Sequence, residues 1–331
     1  MSHKQLSLLL LFTVLLSACG LAPAATPPLM PVPTQAPATA PAASPAPVST
    51  AAPAPLKFTD GLGRSITLAA PAQRIVSLAP SNTEILFALG AGKQVIGRDE
   101  ISDFPAEAKA ITSIGSALDK LTTEAIVALK PDLVLAAEVN SPEQVKALED
   151  LKITVYWLSN PKTFDDLYTN LATVGKLTGR SDEAAKLTES LKTRYAAVIQ
   201  KAASAATQPK VFYEIDGTDP TKPWTTGPGS FIDTMLSLAG AKNVGAGLKD
   251  QFAQISSEEL VAQNPDVILL GDAPYGVTVE SVTQRPGWKA LNAVKNNAIY
   301  TFDDNLVSRP GPRLIDGLET LARLLHSELF K

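Results

Sequence analysis

Residues 123–135 read TEAIVALKPDLVL, and residues 257–269 read SEELVAQNPDVIL. Laid over one another without a gap, the two segments follow one plan 134 positions apart. Thr122 and Ser256 stand where a helix N-cap belongs, because a hydroxyl there accepts from an orphan amide of the first turn. Glu124 and Glu258 follow inside that turn, where the helix dipole favours a carboxylate. Ser256 and Glu259 have capping-box spacing. Each apolar stretch then runs to a Pro-Asp turn, which stops a helix and feeds a buried strand. The same helix, turn and strand, met twice at this distance, mark internal duplication rather than a solenoid repeat.

A second, looser pair supports the duplication. Ser81-Asn82-Thr83-Glu84 opens a helical run that ends near Leu89-Gly90, and Gly229-Ser230 opens one that ends near Leu238-Ala239-Gly240. Short Val- and Ile-rich strands are predicted at residues 74–78, 94–96, 133–136, 154–157, 210–214, 267–270 and 298–302. Helical patterns alternate with them, so the fold class is α/β with mainly parallel sheets. Between the halves, Ala184, Leu187, Leu191, Tyr195, Val198 and Ile199 recur at helical spacing over residues 182–203. The reading is an N-terminal lobe at 56–181, a helix segment at 182–205 and a C-terminal lobe at 206–331, both lobes Rossmann-like. The bland alternative makes the helix an ordinary surface element of one lobe.

The first 55 residues stand outside this fold. His3 and Lys4 precede an eleven-residue apolar run, Leu6 to Leu16. Such a run reaches about half a bilayer core, so it reads as a signal peptide rather than a membrane span. The following Leu16-Ser17-Ala18-Cys19 resembles the bacterial lipobox, which implies lipidation of Cys19 and an extracytoplasmic, membrane-anchored protein. Cys19 is the only cysteine in the chain, so no internal disulfide can form. Residues 20–55 carry no charge and repeat Pro, Ala, Thr and Ser; this composition reads as a disordered tether with extended, polyproline-like stretches. The net charge of −4 on 331 residues argues against a nucleic-acid partner.

Beyond the duplication, RIVSLAPSNTEILFALGAGKQVIG at residues 74–97, SDFPAEAK at 102–109, LTTEAIVALKPDLVLA at 121–136 and RPGPR at 309–313 together resemble one family. It is the helical-backbone solute-binding proteins of ABC importers for cobalamin, haem and ferric siderophores, and the pattern is most like the cobalamin-binding branch. The resemblance spans residues 56–331. It implies two α/β lobes joined by one rigid helix, a ligand cleft between them, a monomeric binding protein, and an ABC permease dimer with its ATPase as partner. It also implies docking through Glu124 and Glu258, one per lobe, since a two-fold partner calls for equivalent charges at equivalent places. A first-turn glutamate with no partner is the bland alternative.

Ligand loops of such folds follow the carboxyl ends of strands. That rule and the resemblance together nominate Ser81, Asn82, Arg98, Trp224, Phe252, Tyr275 and Arg309 as ligand-binding residues. Trp224 and Phe252 match aromatic platforms of cobalamin binders, although each aromatic has lobe core as its alternative. Arg309 matches a cleft arginine, and Arg313 is expected to cap or pin the next helix. Ala117-Leu118-Asp119-Lys120 and Ile101 depart from the aromatic residues that cobalamin binders carry there. His326 is the only histidine after the leader, so imidazole and thiolate metal cages are excluded. The expected ligand is therefore a corrinoid or another metal chelate, with no cofactor and no protein-held metal. With Arg98 and Arg309 as its cations, the cleft is expected to be mildly positive, which favours a near-neutral corrinoid over a ferric catecholate.

No GxSxG elbow, P-loop, HExxH or GxGxxG-after-strand pattern occurs, so no catalytic residue is nominated. Thr226-Gly227-Pro228-Gly229-Ser230 reads as a tight turn with Ser230 as cap. A sensing lipoprotein on the same fold, without transport, is the alternative from a different class.

Overall fold

The structure, a computed structural model, describes residues 54–117 and 121–330. Cys19, most of the tether and residues 118–120 lie outside the described residues. The N-terminal lobe starts with a hairpin, β1 (Leu56–Thr59) and β2 (Ser65–Leu68). It continues through β3 (Ile75–Ser77), α1 (Pro80–Ala88), β4 (Val95–Arg98), α2 (Thr123–Leu129), β5 (Leu133–Ala137), α3 (Pro142–Asp150), β6 (Val155–Leu158) and α4 (Phe164–Thr178). The long helix α5 spans Ser181–Ala203. The C-terminal lobe follows as β7 (Lys210–Asp216), β8 (Trp224–Thr226), α6 (Phe231–Leu238), β9 (Lys242–Asn243), β10 (Phe252–Gln254), α7 (Ser257–Gln263) and β11 (Val267–Leu270). Its last elements are α8 (Val279–Thr283), α9 (Asn292–Lys295), β12 (Ile299–Thr301), α10 (Asn305–Ser308) and α11 (Leu314–Leu325).

The two sheets repeat one topology. In the N-terminal lobe the order is β4-β3-β5-β6, all parallel. In the C-terminal lobe β9, β11 and β12 run parallel to β7 in the matching order, and an antiparallel ribbon of β8 and β10 is added at the β7 edge. Register agrees as well: Ile75 pairs with Leu133, and Val211 pairs with Val267.

The repeated 13-residue segments fold alike for local reasons. Each helix ends on a residue forced into the left-handed region before proline, Lys130 at φ 49° and Asn264 at φ 50°. Proline disfavours a further right-handed turn at the residue before it. The following aspartate then ties the turn to the neighbouring strand. Asp132 accepts from the Gln73 and Arg74 amides at 2.8 and 3.0 Å, and Asp266 accepts from the Lys210 amide at 3.0 Å. A cation at the start of that strand, just before β3 in one lobe and first in β7 in the other, covers the carbonyls at each helix end: Arg74 Nη2 to Leu129 O at 2.6 Å, Lys210 Nζ to Gln263 O at 3.0 Å. The caps differ. Ser256 Oγ accepts from the Glu259 amide at 3.1 Å, without the reciprocal bond of a capping box, while Thr122 makes no side-chain cap bond.

Both lobes fall within one compact unit, residues 52–331, and they share a core. One cluster of buried apolar side chains runs from Ile75, Ile85 and Leu135 through Leu191 of α5 to Val211, Leu236 and Leu318. Phe164 at the start of α4 meets Tyr195 of α5 and Phe231 of α6, with ring centroids 4.8 and 5.5 Å away. Arg194 of α5 adds ion pairs to Asp316 and Glu319 of α11 at 2.6 and 2.7 Å. At 23 residues, α5 is about 35 Å long, but a continuous hydrophobic core as well as the helix joins the lobes.

Candidate functional site

The carboxyl ends of both sheets face a cleft between the lobes. Its larger chamber holds about 580 Å³. All four strands of the N-terminal parallel sheet contribute to it: Leu78 to Ser81 after β3, Asp99 to Ile101 and Asp103 after β4, Ala137 and Val139 at the end of β5, and Asn160 after β6. Tyr275 after β11, and Asp304, Asn305 and Ser308 to Pro310 after β12, close it from the other lobe. A second chamber of about 270 Å³ shares Asn160, Asp304, Ser308 and Pro310 with the first and adds Glu138, Lys162, Phe231 and Phe252. Phe231 is half-buried and packs against the shared core, so one wall of this chamber rests on the seam between the lobes.

The nominated residues separate into two groups. Ser81, Tyr275 and Arg309 line the larger chamber, and Phe252 lines the smaller. Tyr275 stands 88% exposed and Phe252 51% exposed, the posture of side chains awaiting a surface to cover them. Trp224 lies beyond both chambers, on β8. The β8–β10 register pairs it with Gln254, which places it on the same face of the ribbon as Phe252.

Asn82 and Arg98 are placed elsewhere. Asn82 is fully buried and its amide donates to Leu135 O at 3.1 Å. Arg98 is buried, and its guanidinium donates to the carbonyls of Ala108, Asp99, Glu100 and Lys109. It folds the loop after β4 from within, because a buried guanidinium needs acceptors for its donors. Arg98 is therefore corrected from a cleft cation to a scaffold for the cleft loop. His326 likewise lies away from the cleft, buried with Nε2 3.3 Å from Gly240 O.

These placements change the charge of the site. Among the described residues, Asp99, Glu100, Asp103, Glu138 and Asp304 line the two chambers against Arg309 and Lys162, so the expected mild positive charge gives way there to a net negative lining. Burial pushes the Asp99 carboxyl up, although Ser102 and the Ile101 amide donate to it. Asp304 accepts from Tyr213 Oη at 2.7 Å. Burial opposes ionisation of Asp103, but Arg309 outweighs it by hydrogen bond and charge, and holds the carboxyl below its usual range.

Two arginines of the C-terminal lobe cross to the other lobe beside the cleft. Arg313 stands at the N-cap position of α11 but makes no side-chain cap bond; its guanidinium instead donates to Glu84 of α1 and lies 4.0 Å from the Phe104 ring centroid. Arg309 Nη1 meets Asp103 Oδ1 at 2.7 Å and Glu84 Oε1 at 3.5 Å.

The sequence reading missed Glu138, Val139, Asn160 and Lys162. The rule that nominated the other loops extends to the ends of β5 and β6, and applying it there would have found them.

Glu124 and Glu258 are exposed in the first turns of α2 and α7, at equivalent positions of the repeat. Among the described residues no group of three or more His, Cys, Asp or Glu could hold a metal ion, and no helix is long and apolar enough to cross a membrane.

Two duplicated parallel α/β lobes, joined by a helix around a cleft at the ends of their strands, define a two-lobed binding protein. The chain belongs to the periplasmic binding protein family, whose model matches residues 75–306. It is 36% identical over 284 residues to the uncharacterized ABC transporter substrate-binding lipoprotein YvrC of Bacillus subtilis, covering 84% of this chain and 87% of that protein. It is 28% identical to the cobalamin-binding protein of Halobacterium salinarum, over 82% of this chain and 74% of that one. The solved periplasmic heme-binding protein RhuT of Roseiflexus sp. RS-1 superposes with a TM-score of 0.70 at 27% identity, covering 77% of this chain and 99% of that one.

Proposed function

We propose that this chain captures a corrinoid in the interlobe cleft and delivers it to an ABC permease. The observation that carries the ligand choice is the lining. Among the described lining residues five carboxylates face two cations, while Ile101, Val139, Phe252 and Tyr275 offer exposed apolar and aromatic surface. A corrin ring bears neutral amide side chains whose N–H groups suit carboxylate acceptors, and its flat faces suit aromatic platforms. A polyanionic ferric catecholate meets repulsion in such a cleft. The cobalamin-binding relative supports the same choice, and the heme-binding relative supplies the competing one.

In this reading Cys19 carries the lipid that keeps the domain outside the membrane, a role in keeping with the lipoprotein relative. Glu124 and Glu258 meet the two permease subunits. The domain does no covalent chemistry: it buries the ligand, and the permease withdraws it. Calorimetry of the purified protein against cyanocobalamin, haemin and a ferric siderophore tests the ligand. Saturable binding of cyanocobalamin is expected; binding of haemin or the siderophore alone overturns the choice.

A further inference from the structure

The two interlobe arginines are held very differently. Arg313 grips Glu84, whose side chain is 2% exposed, through two hydrogen bonds, and Glu84 lines neither chamber of the cleft. Arg309 is held by one short bond to Asp103, whose side chain is 49% exposed, and by longer contacts to Glu84 and to Ile101 O at 3.5 and 3.4 Å. Arg309 and Asp103 both line the larger chamber, where Arg309 is the only cation among the described lining residues. An incoming carboxylate or catecholate therefore finds one arginine, already neutralised by a carboxylate from the facing lobe.

We infer that Asp103 is a specificity-determining residue: it masks Arg309 and so excludes chelates that carry peripheral anionic groups. A neutral chelate leaves the Arg309–Asp103 pair intact or accepts from the guanidinium's remaining donors. An anionic one must displace Asp103 and leave a second negative charge beside itself, next to Asp99 and Glu100. Selectivity here comes from a repulsive element as much as from attraction. Of the two pairs, only Arg309–Asp103 lies where a ligand meets it, since both residues line the chamber and the Asp103 side chain is 49% exposed against 2% for Glu84. The inference rests on the cleft being the ligand site and is independent of which ring it binds.

The test compares the wild-type full-length protein with Asp103→Asn against two matched pairs of ligands. One pair is dicyanocobinamide, with amide side chains, and dicyanocobyrinic acid, with carboxylates in their place; the other is haemin dimethyl ester and haemin. On whichever ring binds, Asp103→Asn is expected to tighten the carboxylate-bearing member by about tenfold, with the neutral member within about twofold. Arg309→Ala added to Asp103→Asn should remove the gain, and Asp103→Glu should retain wild-type selectivity. An equal change in both members would mark Asp103 as merely structural and overturn the proposal, as would an unchanged ratio or no binding of any of the four. Failure of the corrinoid pair with a shifted ratio on the haemin pair would overturn only the ligand choice.

Discussion

Arg313 of the C-terminal lobe donates to Glu84 of the N-terminal lobe through Nε and Nη2, at 2.9 and 2.6 Å. The Glu84 side chain is 2% exposed, so the pair ties the lobes together beside the cleft rather than on open surface. Removing one partner of a buried pair leaves the other charge desolvated and alone. Arg313→Ala is expected to lower unfolding stability by about 3 kcal/mol, and denaturant titration reads it directly. A loss below about 0.5 kcal/mol would mean that water screens the pair.

A second expectation concerns the aromatic rim. Tyr275→Ala and Phe252→Ala should each weaken ligand binding by about tenfold with little change in stability, because both side chains are exposed and contribute little to the core. Arg98→Met should do the reverse. Four backbone carbonyls lose their donor, so stability falls by about 2 kcal/mol. Thermal melts beside calorimetric titrations separate the two classes. Strong binding loss with unchanged stability in Arg98→Met would return that residue to the ligand site.

Glu124→Ala combined with Glu258→Ala is expected to abolish uptake in cells while ligand affinity stays at the wild-type value. Both carboxylates are exposed, and neither lines a chamber. Radiolabelled uptake paired with equilibrium binding checks this. Normal uptake by the double variant would remove the docking role.

The C-terminal lobe predicts a pH dependence. Glu214 is fully buried against Arg285, whose Nη2 donates to Oε1 at 2.8 Å, and nearby Asp272 keeps one carboxylate oxygen buried without a partner. Burial pushes both carboxyls up, against the pull of Arg285 on Glu214 and of the Gly217 amide on Asp272. Each therefore holds its proton to higher pH in the folded chain than in the unfolded one. Between those two values the folded state carries extra protons, so stability falls as pH rises through the window above the ordinary carboxylate range. Asp272→Asn should flatten that fall and raise stability at pH 7 by about 1 kcal/mol. Denaturant midpoints across pH 4 to 8 measure it; an unchanged slope would count against these carboxyls as its source.

The duplication was legible because its cause is local. A left-handed residue before proline and an aspartate that ties turn to strand recur at fixed spacing, so Lys130-Pro131-Asp132 and Asn264-Pro265-Asp266 announced two lobes with parallel strands. The site was legible only where a loop could be assigned to a strand end. Arg98 misled because a cation at such an end looks like a ligand donor, while its partners, the carbonyls of residues 99, 100, 108 and 109, are visible only once the chain has folded back over it. The acidic lining was hidden for a similar reason. Asp99, Glu138 and Asp304 lie far apart in sequence and come to one cleft only in the folded chain. Nor could spacing reveal that Arg313 reaches Glu84, 229 positions away.

The shared core gives the cleft the character of a fixed gauge. Jaws cast in one piece set the thickness they accept once, so a new cargo must be met by changing the short loops at their edges. Evolution of this chain toward another chelate is thus expected to proceed at the strand ends, through residues such as Ile101, Asp103, Val139 and Tyr275, with Phe164, Tyr195 and Phe231 left as they are.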